Sequence, residues 1–192
     1  MIRVLIALAC IGLMSLTAFA QTASSQTPEQ NEATRKALAQ RLAAGQKTCA
    51  GCDLFQVDLS YKELDGRDFT GARLRQADLS LATLDSAKMR NANLSIVNAF
   101  GARFNRTDFT NANLSDASLV GSWFGGAVMA GADLKGANLS GSYLFTAHGL
   151  TQAQLNAACG DESTALPDGL KIPLCPGAEP SPQLRGLSRA GG

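Results

Sequence analysis

With 192 residues, 45% of them hydrophobic and 17% charged, the chain is long enough for one folded domain and too apolar for a disordered one. Its formal net charge of +1 rests on Arg3; beyond residue 20 there are 16 basic and 16 acidic side chains. A chain this neutral has neither the basic stripe that holds nucleic acid nor the acidic bulk that imitates it.

The first twenty residues read as a signal peptide rather than as part of the fold. Arg3 gives a positive start, Val4 to Leu16 is apolar except for Gly12 and Ser15, and Ala18-Phe19-Ala20 places small residues where a signal peptidase reads. Cleavage is expected after Ala20, with a periplasmic or secreted destination and no membrane attachment afterwards. A lipoprotein reading through Cys10 would leave only Val4 to Ala9 as apolar core, shorter than such a segment needs. The run is too short to stay behind as a spanning helix. Cys49, Cys52, Cys159 and Cys175 remain, an even number that favours disulfides and allows three pairings.

Residues 21–51 read as a linker and an N-terminal capping helix. Thr27-Pro28-Glu29-Gln30 has the form of an N-cap, a helix start and a capping box, and Gly45 that of a stop. The helix expected from Pro28 to Ala44 carries Ala33, Ala37, Leu38 and Leu42 on a weakly apolar face.

From Cys52 to Thr146 the chain falls into nineteen five-residue units with no insertion or deletion. The third residue of each unit, the centre, is Leu, Phe or Met from Leu54 to Leu144, with Ala99 the one departure. Two residues before it sits a small residue, usually Ala, and the residue between is often Asp or Asn. A period of five fits neither helix nor strand, so the backbone must turn a corner in each unit. No proline interrupts the stretch, which leaves its amides free to join a ladder between coils.

This A(D/N)LXX pattern resembles the pentapeptide-repeat family over about half the chain. The resemblance implies an all-β fold: a right-handed quadrilateral β-helix with four units per coil, centre and small residue inward, and the other three positions outward. Residues twenty apart then stack. Leu54, Leu74, Leu94, Leu114 and Leu134 share the first wall; Leu59, Leu79, Ala99, Leu119 and Leu139 the second; Leu64, Leu84, Phe104, Phe124 and Leu144 the third; Phe69, Met89, Phe109 and Met129 the fourth. With coils about 4.8 Å apart the shaft is roughly 23 Å long. Lys62 and Arg67 occupy inward positions of the first coil, where charge is costly, so they are expected to distort that coil or leave through its open end.

Residues 147–176 read as a C-terminal cap and 177–192 as a flexible tail rich in Pro, Ser, Gly and Ala. Thr151 is an N-cap with Gln154 three residues on, Leu150 and Leu155 stand at staple positions, and a helix is expected from Gln152 to Ala158, ended by Gly160. Cys159 and Cys175 are expected to pair and pin the cap, for about 3 kcal/mol. The cysteine-flanked ends also resemble those of exported family members.

No catalytic constellation, metal site or cofactor motif is evident. Cys49-x-x-Cys52 lacks the strand–helix setting of a redox pair, and Asp53 stands where haem attachment needs His, so a structural disulfide or packed thiols are expected. His148, the lone histidine, reads as a junction residue. The Asp58–Asp78 and Asp65–Asp85 columns read as water-facing consensus positions rather than a cation site, and the Asn-Leu-Ser sequons at Asn93, Asn113 and Asn138 follow from the repeat. The candidate binding surface is aromatic: Trp123 and Tyr143 stacked on the third wall, Phe145 beside Tyr143, and Arg103 within reach of a cation–π contact with Trp123. The same aromatic residues would also be expected if the segment after His148 buries them or if two chains pair there. Topoisomerase-directed DNA mimicry, known in acidic cytoplasmic members, is rejected because the repeats carry 9 basic and 10 acidic residues. The expected role is a non-catalytic scaffold or protein-binding module, its partner another protein or a second copy of the chain. The alternative is an enzyme or ligand-binding protein with its site in the non-repeat flanks.

Overall fold

A computed structural model describes residues 28–177. Within it, single parallel bridges join residues twenty apart, from Thr48 with Asp68 through Arg103 with Trp123 to Val128 with His148. Residues at this spacing therefore lie above one another, and each coil has four five-residue walls. The coil begins one unit earlier than the Leu/Phe/Met pattern shows. Lys47–Gly51 is a full unit with Cys49 as its buried centre, and its Cys49 amide donates to the Asp68 carbonyl at 2.7 Å.

One bonding scheme repeats through the ladder. The centre amide donates to the next coil, as from Leu54 to the Arg73 carbonyl at 2.8 Å; the residue before the centre donates to the preceding coil, as from Arg73 to the Cys52 carbonyl. The residue two beyond the centre donates upward, as from Gln56 to the Arg75 carbonyl. The next small residue then closes a turn, as from Val57 to the Leu54 carbonyl at 3.2 Å. That turn needs a left-handed residue at its third position. The corner φ is accordingly 55–60° at ten non-glycine residues, including the β-branched Ile96, and glycine fills others. At Gly136 the requirement is double, since φ is +69° and a Cβ would stand 2.3 Å from Asp116 Oδ1.

The centres from Leu54 to Leu144 are all buried, and the inward small residues from Ala72 onward join them. Hydroxyls at small positions are satisfied within the wall: Thr107 donates to the Leu84 carbonyl and Ser122 to that of Ala99, each at 2.6 Å. Ala99 is fully buried like the other centres, in a core whose aromatic side chains gather nearby. The rings of Phe104 and Phe109 meet edge-on at 5.2 Å, and Phe124 stacks on Phe104 at 5.3 Å.

The charged residues at inward positions of the first coil leave through its end. Lys62 is exposed. Arg67 donates to the carbonyls of Gln46 and Glu63 at 2.9 and 3.1 Å, groups that no preceding coil covers. Helix α1 (Pro28–Ala43) lies at this end. It stops in the expected way: Gly45 at φ +106° donates to the Leu42 carbonyl and Gln46 to that of Arg41, which together satisfy the last turn. Its buried face differs from the expected one. Leu42 is fully buried and Leu38 partly so, but Ala33 and Ala37 are exposed, and Arg35 and Ala39 take their place against the coil. The cap expected at Thr27, the signal segment and the tail from residue 178 lie outside the described residues.

At the other end the coil continues after the repeat has ended. Helix α2 (Gln152–Asn156) is capped by Thr151, whose hydroxyl accepts from the Gln154 amide while the Gln154 side chain accepts from the Thr151 amide. It is shorter than the sequence suggests because Cys159 leaves it to bridge Asn138, and Ala165 then bridges Tyr143. The spacings are now 21 and 22, so the helix replaces one wall of a coil built from non-repeat sequence. Leu155 of α2 is fully buried in the same core.

Truncation of Leu94 to Ala should cost about 2–5 kcal/mol, read by denaturant unfolding. Ala99→Leu should also destabilise, by about 1–3 kcal/mol, because Ala99 is fully buried in a closed core. Equal stability of either variant with the native chain would contradict the packing described.

Candidate functional site

One amide per unit is left out of the scheme above, that of the residue just after the centre. Among the described residues it makes no backbone bond, and in most units a side chain accepts from it instead. Every Asp or Asn at the position before the centre performs this task. Asn93 Oδ1 accepts from the Ser95 amide at 3.0 Å, Asp78 from Ser80 at 2.9 Å and Asp108 from Thr110 at 2.9 Å. The carboxamides of the three sequons are held in this way, at Ser95, Ser115 and Ser140.

Hydrogen bonding to the ionised form depresses these carboxyls. Side-chain and backbone bonds from Ser60 lower Asp58, and those from Thr70 lower Asp68. Burial would raise Asp108, but bonds from Thr110 and the Arg90 guanidinium at 3.1 Å outweigh it. The Asp58–Asp78 column is thus a set of amide caps, and no group of His, Cys, Asp or Glu among the described residues is arranged to hold a metal ion.

The third wall solves the same problem differently. At no level does it carry Asp or Asn before the centre; the column there runs Glu63, Thr83, Arg103, Trp123, Tyr143. The cap comes from the residue after the centre, one coil away. Asp65 Oδ1 accepts from the Asp85 amide at 2.8 Å, Asp85 from Asn105 at 3.0 Å and Asn105 from Gly125 at 3.0 Å. Shifting the cap frees the outward column of this wall from supplying acceptors.

Trp123 and Tyr143 use that freedom. Their rings are stacked, with centroids 4.0 Å apart and planes 15° apart. Trp123 is 46% exposed, Tyr143 38% and Phe145 59%, so no described part of the C-terminal segment covers them. Arg103 does not lie over Trp123. Its guanidinium instead forms an ion pair and hydrogen bond with Asp85, because a charge-assisted bond to a carboxylate outweighs a half-solvated cation–π contact. For Asp85 burial is the largest influence and pushes its carboxyl up, but the Arg103 and Asn105 bonds together hold it low. The cation–π contacts that do form are elsewhere: Arg35 and Arg75 lie 5.4 and 6.0 Å from the Phe55 ring.

The cysteines sit at the two ends of the coil. Cys49 and Cys52 are bonded to each other, joining a centre to the next inward small position, which explains their spacing without redox chemistry. Cys159 and Cys175 are bonded with their Cα atoms 4.7 Å apart, tying the last segment back to the non-repeat coil. His148 bridges Val128 as an outward residue where the repeat stops. No helix among the described residues is long and apolar enough to cross a membrane.

The protein-family model described as pentapeptide repeats matches in eight copies, over residues 48–85, 63–98, 87–122 and 112–148, together more than half the chain. No curated protein matches. Among solved structures the chain is similar to QnrB1, a plasmid-mediated fluoroquinolone resistance protein, at 22% identity over 73% of this chain and 84% of that one, with a TM-score of 0.40. It is also similar to HetL, which is involved in heterocyst differentiation regulation in the cyanobacterium Nostoc sp. strain PCC 7120, at 24% identity over 57% and 68%, with a TM-score of 0.26. A protein of the Arabidopsis thaliana thylakoid lumen is similar at 28% identity over 52% and 70%, with a TM-score of 0.32. The family's fold is the right-handed quadrilateral β-helix, and with the family model matched from residue 48 to 148, this chain belongs to the pentapeptide-repeat family.

Proposed function

We propose that the protein is a non-catalytic, exported interaction module that binds another protein through its third wall. The observation that carries this reading is the Trp123–Tyr143 stack with Phe145, exposed on the one wall whose outward column is released from amide capping. Aromatic side chains on a rigid ladder lose little conformational freedom on binding, which suits them as anchors in a protein interface. The Asp side chains before the centres are held as backbone caps, which gives them a structural role. Export is supported by the Arg3-to-Ala20 segment and by two disulfides in a chain with no other described thiol. The cysteine-flanked ends support placement with exported members of the family.

Expressed with its first twenty residues in a bacterium, the protein should be recovered from the periplasm or medium with Gln21 as its first residue. Intact mass would show this, and a product retaining Met1 or acylated at Cys10 would contradict it. Immobilised native protein should retain a specific periplasmic protein, or a second copy of itself, that Trp123→Ser does not retain at equal loading. Retention unchanged by Trp123→Ser, with an unchanged elution volume, would contradict the role of the third wall.

A further inference from the structure

Charge is divided along the shaft. Of the 19 charged residues in the repeats, 17 lie at or before Asp116. From Ala117 to Gly160 only Asp133 and Lys135 follow, and both stand on the first wall. The other walls of the fourth and fifth coils therefore carry no Asp, Glu, Lys or Arg, where the surface of a soluble domain is normally about a quarter to a third charged. Facing outward there are Trp123, Tyr143 and Phe145 on the third wall and Val128, Ala130 and Leu150 on the fourth, with His148 the one basic side chain among them.

This surface has the composition of an interface centre, where charge is depleted and aromatics are enriched. Its relief narrows the partner. Trp123 and Tyr143 form a stacked ridge. Beside Trp123, Gly125 and Gly126 carry no side chain, and the half-buried Val128 and Ala130 continue this low step onto the fourth wall. Asn105 supports the step from below, since its Oδ1 accepts from the Gly125 amide at 3.0 Å. A ridge and a step side by side on one patch suit a twofold contact, in which each copy lays its ridge in the step of the other. The lack of charge favours the same partner. Near a twofold axis a charged side chain faces its own like, a cost this surface avoids, whereas a different protein is selected through opposite charges that this surface does not offer. Below the patch Arg103 is paired with Asp85 and Arg106 lies beneath Gly126, so these charges stand at its rim.

We propose that the third and fourth walls of the fourth and fifth coils form a twofold interface with a second copy of this chain, the Trp123–Tyr143 ridge of each seated on the Gly125–Ala130 step of the other. The inference rests on the reading of the third wall as a recognition surface, and adds to it the partner and the fourth wall.

The test is sedimentation equilibrium of the purified protein over a range of concentrations and of salt. The native protein should sediment as a dimer in equilibrium with monomer. Trp123→Glu and Val128→Lys should each weaken the dimer at least about tenfold. Both positions face outward, and Val128→Lys repeats what Lys88 does lower in the same column, so both variants should keep the native circular dichroism. Because no ion pair crosses the interface, the native dimer should be no weaker at high salt than at low. A native protein monomeric throughout, a dimer that either variant leaves unchanged, or a dimer that salt dissociates would overturn the proposal. So would a monomer that sediments with phosphatidylcholine vesicles in a Trp123-dependent way, which would assign the uncharged walls to a lipid surface. A native chain that stays monomeric yet retains a different protein, lost in Trp123→Ser, would overturn the second copy and leave the third wall its binding role. Absence of both the dimer and that retention would remove both readings.

Discussion

A coil with a corner every five residues leaves one backbone amide per unit without a ladder partner, and the rest of this molecule is arranged around that amide. Left bare against a half-buried wall it would cost as much as a lost hydrogen bond in every unit. Where Asp or Asn stands just before the centre, its short acceptor reaches the amide just after it, as Asn93 does for Ser95. Centre and small residue supply the packing, and the carboxylate or carboxamide removes the penalty of the corner. The same bonds set an acid limit. Hydrogen bonding keeps the folded-state carboxyls of Asp58, Asp68 and Asp108 below their unfolded values, so the stability they lend is present above about pH 4 and is lost as pH falls through the folded values.

Moving the cap changes what a wall can display, and the third wall is the instance. With Asp65, Asp85 and Asn105 capping from one coil away, the outward column holds whatever side chain a surface requires. At its upper end that column is Trp123 over Tyr143. Lower down, Arg103 is drawn to the very carboxylate that caps Asn105, so the ion pair braces the cap. Surface composition and backbone chemistry are therefore linked: the wall that carries the exposed aromatic stack is the wall whose capping acceptors come from one coil away.

Much of this was legible in the chain. The walls emerged from reading every twentieth residue, because a buried column of centres leaves a plain periodic trace, and the stacking of Trp123 on Tyr143 came from the same spacing. Other features were hidden for physical reasons. The unit Lys47–Gly51 has a cysteine as its centre, which no Leu/Phe/Met pattern detects. The last coil keeps its bonding while its spacing slips to 21 and 22 around α2, so periodicity alone loses it. The direction of Arg103 is a choice between two neighbours at similar reach, decided by charge rather than by position. The face of α1 was misread at Ala33 and Ala37 because alanine marks a buried face weakly, and Leu38 and Leu42 set it instead.

The most direct measurement is amide hydrogen exchange at Gly125 in the native protein and in Asn105→Ala, a change twenty residues away in sequence. Asn105 Oδ1 accepts from the Gly125 amide at 3.0 Å, while the neighbouring Phe124 amide is held by the Tyr143 carbonyl at 2.9 Å. Asn105→Ala should therefore strip protection from Gly125 and leave Phe124 protected. Equal protection of Gly125 in both proteins would show that the amide is satisfied in another way, and would contradict both the coil register and the capping scheme built on it.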